Sequence, residues 1–207
     1  MAGKWRTVGR GVGLTLAVAL SGLFAAEPPS QQEQREALMK THKAGNFKDA
    51  YDGLRRLALD PSDDPKQVGT DLENGINCLQ QLGRSDEIDE FRETVIEIHK
   101  QNWRLLDTAA QTLVSNEHQG FIIAGKFYRG GHRGGGRYVG TMERDRVRAL
   151  QLMQQALVLT AKETDKPALS QFHLHFANLL LSGAGYHEPW RLQTLTDLTQ
   201  LPDYEDG

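Results

Sequence analysis

The residues of this 207-residue chain best suited to binding chemistry gather in one short stretch. Residues 117–142 read EHQGFIIAGKFYRGGHRGGGRYVGTM. Eight of the 21 glycines lie from Gly120 to Gly140, and no acid occurs between Glu117 and Glu143. The same window carries Lys126, Arg129, His132, Arg133 and Arg137. Glycines let backbone N–H groups turn toward an anion, and arginine holds a carboxylate or phosphate through two parallel hydrogen bonds. Residues 117–141 are therefore expected to form a Gly/Arg-rich loop that docks onto an acidic surface, of a partner or of a neighbouring domain. The plainer alternative is a solvated loop whose arginines pair with nearby acids. A rival of another class is an anion- or phosphate-binding enzyme or binding protein built on the same loop. A phosphate loop needs Gly-Lys followed by Ser or Thr at the start of a helix, and Gly-Gly-Arg-Tyr stands here instead. The dinucleotide pattern needs its glycines inside a strand–turn–helix unit, which is not evident. A single RGG-like segment can bind RNA, but a pI near 6.2 argues against nucleic acid as a partner.

Other chemistries find little footing. His173 and His175 are two residues apart, and on a helix that spacing turns their side chains about 200° from one another, too far to share an ion. His99, His118, His132 and His187 have no ligand at a useful spacing, so neither a metal nor a cofactor is expected. There is no Gly-x-Ser-x-Gly elbow. The one cysteine, Cys78, lies beside Leu79 and Leu82 and reads as inert packing. It also excludes a disulfide framework and a cysteine-rich zinc site. Asp63-Asp64 and Asp86-Glu87 sit in turns, where such residues cap helices or stay solvated. Glu143-Arg144-Asp145-Arg146 reads as a charged helix start with intrahelical pairs. No carboxylate pair shows a reason to be buried, and no catalytic residue is expected. The acidic tail Asp203-Tyr204-Glu205-Asp206 could meet the basic loop.

The elements that must position this loop are helical. In residues 45–61, Phe47, Ala50, Tyr51, Leu54, Leu57 and Ala58 recur at spacings of three and four, one face of a helix. Similar patterns cover 66–82, 85–99, 101–114, 142–160 and 166–182, with a shorter helix at 189–200. Residues 31–44 are polar and rich in helix formers. Leu54, Leu57, Leu72, Leu79, Leu150 and Leu157 are the expected scaffold. The G-x-F-x-x-A and L-x-x-L-A arrangement resembles half of a tetratricopeptide repeat. The interval from Gly45 to Gly83 is near the usual helix-pair period. The fold class is thus read as all-α: a TPR-like α-solenoid or irregular helical bundle of about seven helices. Only 120–128 could make a short strand or hairpin arm.

The first segment reads as an address. Lys4, Arg6 and Arg10 precede an uncharged run at 11–26, closed by Glu27-Pro28-Pro29. This is the plan of a secretory signal, and the run is short for a membrane span of about 20 residues. Cleavage after Ala25 or Ala26 would remove three of the 24 basic residues and none of the 27 acidic ones, taking the net charge from −3 to −6. The organisation is then a signal at 1–26, a polar linker or helix at 27–44, and a helical-repeat domain at 45–207 that continues beyond 207. The membrane would be met only through an uncleaved signal.

Three stretches together carry a resemblance: Ala50 to Asp60 (AYDGLRRLALD), Gly120 through Leu152, and Trp190-Arg191-Leu192-Gln193 through Leu201-Pro202-Asp203-Tyr204. They resemble the N-terminal helical region of very large exported bacterial alpha-2-macroglobulin-like proteins of the planctomycete type. That resemblance implies a periplasmic or extracellular chain in which helices precede β-sandwich domains, in a family whose better-known members trap proteases. Some of these use a Cys–Gln thioester. Cys78 is followed by Leu79, Gln80 and Gln81 but lacks the flanking Gly-Glu context, so no thioester is carried over, and no active residue of the family maps here. The implied role is non-enzymatic docking, to other domains of a longer chain or to a protein partner such as a protease.

Overall fold

The computed structural model describes residues 1, 3, 29–182 and 196–206. The expected signal segment falls almost wholly outside these residues, as does most of the expected helix at 189–200, whose last five positions are not helical. Among the described residues seven α-helices form: α1 (Gln31–Lys43), α2 (Phe47–Ala58), α3 (Val68–Gln81), α4 (Ile88–Ile98), α5 (Trp103–Ser115), α6 (Met142–Leu159) and α7 (Lys166–Ser182). None is long and apolar enough to cross a membrane.

Their ends follow from local chemistry. Ser30 and Glu33 form a capping box that starts α1, each side chain serving the other's backbone N–H. Gly45 and Gly83, at φ +82° and +67°, end α1 and α3 in the left-handed conformation that suits glycine. In both, the next residue donates back across the last turn, Asn46 N to Thr41 O at 3.1 Å and Arg84 N to Leu79 O at 2.9 Å. The repeated glycine is thus a repeated helix stop.

The amphipathic faces meet as α1 on α2, α2 on α3, α3 on α5, and α5 on α6, with α7 closing against α5 and α6. Leu54, Leu72, Leu79, Leu106 and Leu152 are fully buried in one continuous core. Leu157 is not part of it. It is 40% exposed, and α6 instead buries Ala149, Leu150, Leu152, Met153 and Ala156. Cys78 is buried, and burial pushes its thiol pKa up, away from reactivity.

Residues 117–141 are a loop only in part, chiefly over 130–136. They form β1 (Gln119–Ile123), β2 (Lys126–Arg129) and β3 (Arg137–Gly140), and β4 (Glu205–Asp206) completes an antiparallel sheet in the order β2-β1-β3-β4. The fold is therefore mostly helical with a small sheet, rather than all-α. The reason is local: short runs of aromatic and β-branched residues, Phe121-Ile122-Ile123, Phe127-Tyr128 and Tyr138-Val139, favour strands and are separated by glycines. Ala124 and Gly125, both at positive φ (+49° and +81°), make the two-residue turn that matches the twist of a hairpin.

A second departure lies under α1. Arg35 is buried, with Nε donating to Asp71 Oδ2 at 2.8 Å and Nη2 to Asp63 Oδ1. Asp63, expected to be solvated or to cap, is only 3% exposed, while Asp64 accepts from Lys66 N in the turn before α3. Burial pushes the Asp71 carboxyl up to about 6, opposed by Arg35 and helped by the adjacent Asp63. A carboxyl with a raised folded-state pKa binds a proton that the unfolded chain has lost. Its contribution to stability is complete below about pH 4 and is lost as the pH rises through 6. Melting temperatures of wild type and Asp71→Asn between pH 4 and 7 check this. The wild type should fall by a few degrees relative to the variant as the pH rises, and parallel profiles would refute it.

Candidate functional site

The sheet has two faces of different character. The cross-strand row Arg129–Gly120–Val139 points at the helices, and all three residues are buried. Gly120 has no room for a Cβ, which would run into the Tyr128 carbonyl and the Phe127 ring. Beside it Arg129 enters the protein. Its Nη1 and Nη2 each donate to Asp145 at 2.8 Å, one to either carboxylate oxygen, and its Nε lies 3.0 Å from both oxygens of Asp89. Nη1 also donates to the Glu117 carbonyl and lies 3.3 Å from the Thr141 hydroxyl. Burial disfavours the charge, but Asp145 and Asp89 outweigh it and hold the guanidinium above its ordinary range.

Asp145 sits at the centre of this network. It accepts from the Thr141 hydroxyl at 2.7 Å and faces His118 Nδ1 at 3.0 Å. Burial alone would raise its pKa; Arg129, His118 and Thr141 together lower it. Asp89 also bridges to Arg92, 1% exposed, whose Nη1 donates to it at 2.8 Å and whose Nε donates to Thr112 at 2.9 Å. Burial lowers the Arg92 pKa, against the pull of Asp89. The charged start of α6 is therefore only partly intrahelical. Arg146 pairs with Glu143 at 3.2 Å, whereas Asp145 turns inward.

The outer face carries a different row. Tyr128, Phe121 and Tyr138 lie directly opposite one another on the three strands. The Phe121 and Tyr138 rings meet edge to face at 5.5 Å. His132 rests against Phe121 and Tyr128, at 6.1 and 6.3 Å between ring centroids. Lys126 Nζ lies 5.2 Å from the centroid of the Tyr128 ring. Tyr138 is 43% exposed and donates its hydroxyl to Gln119 Oε1 at 2.6 Å.

The five residues singled out by sequence thus have three fates. Lys126, His132 and Arg133 are exposed at or near the outer face. Arg129 is corrected from a docking contact to a buried anchor, because its donors are committed to Asp145, Asp89 and the Glu117 carbonyl. Arg137 pairs with Asp206, so the acidic tail does meet the basic strand. The aromatic row escaped sequence reading; its signal was the recurrence of Phe121, Tyr128 and Tyr138 in short apolar runs between glycines. Asp89, Arg92, His118 and Asp145 were missed as a cluster because nothing local joins them.

A cleft of about 510 Å³ lies where α4, β2 and α6 meet the segment 196–206. Lys126, Phe127, Arg144, Arg148 and Tyr204 line it over a floor containing Arg92 and Arg129. Elsewhere Asp107 faces His175 Nδ1 at 3.0 Å, and burial raises the pKa of this aspartate, against the pull of His175. His173 instead packs edge to face against Phe172. No protein family, curated protein or solved structure matches this chain.

Replacing one member of a buried ion pair strands the other. Arg129→Met should cost about 3–5 kcal/mol, and Arg129→Met with Asp145→Leu should recover most of that loss. Urea denaturation followed by circular dichroism measures both. A single variant as stable as wild type would show that Arg129 does not anchor the sheet.

Proposed function

We propose that this chain is an exported, non-enzymatic interaction module. A TPR-like helical scaffold presents a small sheet whose outer face docks an acidic surface of a protein partner or of another domain. The carrying observation is the solvent-facing Tyr128–Phe121–Tyr138 row, bordered by Lys126, His132 and Arg133 in a stretch without acids. Aromatic rings supply contact area at little entropic cost, and basic neighbours select an acidic surface. The basic start and uncharged run at 1–26 support export. The resemblance to macroglobulin-like proteins supports a place at the front of a larger envelope protein, with protease trapping as its setting. The rival reading, an anion- or phosphate-handling loop, has less support, since Arg129 is buried and gives four of its five N–H donors to Asp145, Asp89 and the Glu117 carbonyl.

A photo-crosslinking residue placed at Tyr138 in native cells tests the docking face. It should yield one discrete adduct that is lost with Arg133→Ala and Lys126→Ala, while the same residue at exposed Glu97 yields none. Equal labelling at both positions would sink the assignment. An immunoblot of the native polypeptide tests the larger setting separately. A band far above 23.1 kDa is expected, and a band at or below that mass would remove the macroglobulin-like setting.

A further inference from the structure

We infer that the groove between β3 and the start of α6 is a peptide-recognition site. In this chain it is filled by its own residues 202–206. It is built to take the same kind of segment from a partner chain: an extended acidic peptide with an aromatic residue followed by two carboxylates.

Each feature of the groove matches one feature of that segment. β3 offers its edge, and the segment adds a strand there, pairing Gly140 with Glu205 and Val139 with Asp206. Strand addition of this kind uses backbone bonds for affinity and side-chain seats for specificity. The aromatic seat is formed by Phe127, stacked on Tyr204 at 4.9 Å, and by Arg144, whose guanidinium lies 4.6 Å from the Tyr204 ring centroid. Arg144 also donates to the Pro202 carbonyl. The first carboxylate seat is the start of α6. Thr141, in the cap position, turns its hydroxyl to Asp145 instead of capping, and Glu143 N donates to Glu205 Oε1 at 2.8 Å. The second is Arg137, which holds Asp206.

The seats and the segment differ in how firmly they are held. The Arg129 network fixes β2 to α6 and α4 without help from residues 202–206. The segment's own charged contact is peripheral: Arg137 and Asp206 side chains are 55% and 90% exposed, so water and salt screen the pair. A preformed groove whose occupant ends in an exposed, screened ion pair is open to competition. The adjoining cleft has room beyond the segment. On its floor the Nη2 of Arg92, 1% exposed, has no hydrogen-bond partner among the described residues. This site lies away from the outer aromatic row, and either can fail without the other.

The test uses the full chain and a fluorescein-labelled peptide of the sequence Leu-Thr-Gln-Leu-Pro-Asp-Tyr-Glu-Asp, that of residues 198–206, followed by anisotropy. Tyr204→Ala with Glu205→Ala loosens the internal occupant, and such a chain should bind the peptide about tenfold more tightly than wild type. Asp206→Lys, at an exposed position, gives a second route to the same loosening. Arg144→Ala added to either should weaken binding by about tenfold or more, and Lys48→Ala, at an exposed position on α2, should leave it unchanged. Absent binding to both loosened chains, with native circular dichroism, would overturn the inference. Equal affinity for wild type and loosened chains would also overturn it. A wild-type dimer in sedimentation that Tyr204→Ala dissolves, without peptide binding, would assign the groove to a second copy and overturn the partner peptide.

Discussion

A buried guanidinium held between one buried and one half-buried carboxylate joins the sheet to the helices. Three strands of four or five residues and a fourth of two cannot support themselves in water. Their inner face offers few fully buried apolar groups, with Val139 buried and Ile122 and Phe127 only half-buried, beside a glycine that has no side chain to bury. Arg129 supplies what hydrophobic area does not. It reaches past Gly120 to Asp145 on α6, Asp89 on α4 and the Glu117 carbonyl at the end of α5. Desolvating those charges is costly, so the cluster brings less net stability than its bonds suggest. Its contribution is register. A one-residue slip of β2 would turn Arg129 outward and strand Asp145.

The same network explains why the start of α6 is available to other groups. Thr141 has the position and hydroxyl of an N-cap, yet that hydroxyl serves Asp145. The positive end of α6 is thereby left to an external carboxylate, and Glu205 provides one. A local rule of helix termini is broken so that a tertiary anchor can be completed. The exposed helix end then becomes a seat for the C-terminal strand.

Helices were legible because their signal is local. Spacings of three and four mark the buried faces of α2 to α6, and Gly45 and Gly83 mark two stops at the residue. Leu157 misled because the neighbouring Ala156 takes the buried position, leaving Leu157 40% exposed. Residues 117–141 misled through composition. Eight glycines suggest freedom, but Gly125 serves the hairpin turn and Gly120 lies where strand and anchor approach too closely for a Cβ. The charge clusters were illegible in principle. Arg129 is 40 residues from Asp89 and 16 from Asp145, and Arg35 is 36 from Asp71. No periodicity connects positions that only the packed core brings together.

The distribution of basic groups separates the two edges of the sheet. On the side of β3 and α6, Arg137 and Arg144 are already engaged by Asp206, Tyr204 and the Pro202 carbonyl. On the outer face Lys126, His132 and Arg133 are exposed beside aromatic rings. One side thus has its acidic complement within the chain. Because Arg129 is withdrawn into the core, the outer face keeps its rings without a central charge. Its selectivity must then come from the rim, where charge steers approach, while the aromatic row supplies the buried area that slows release.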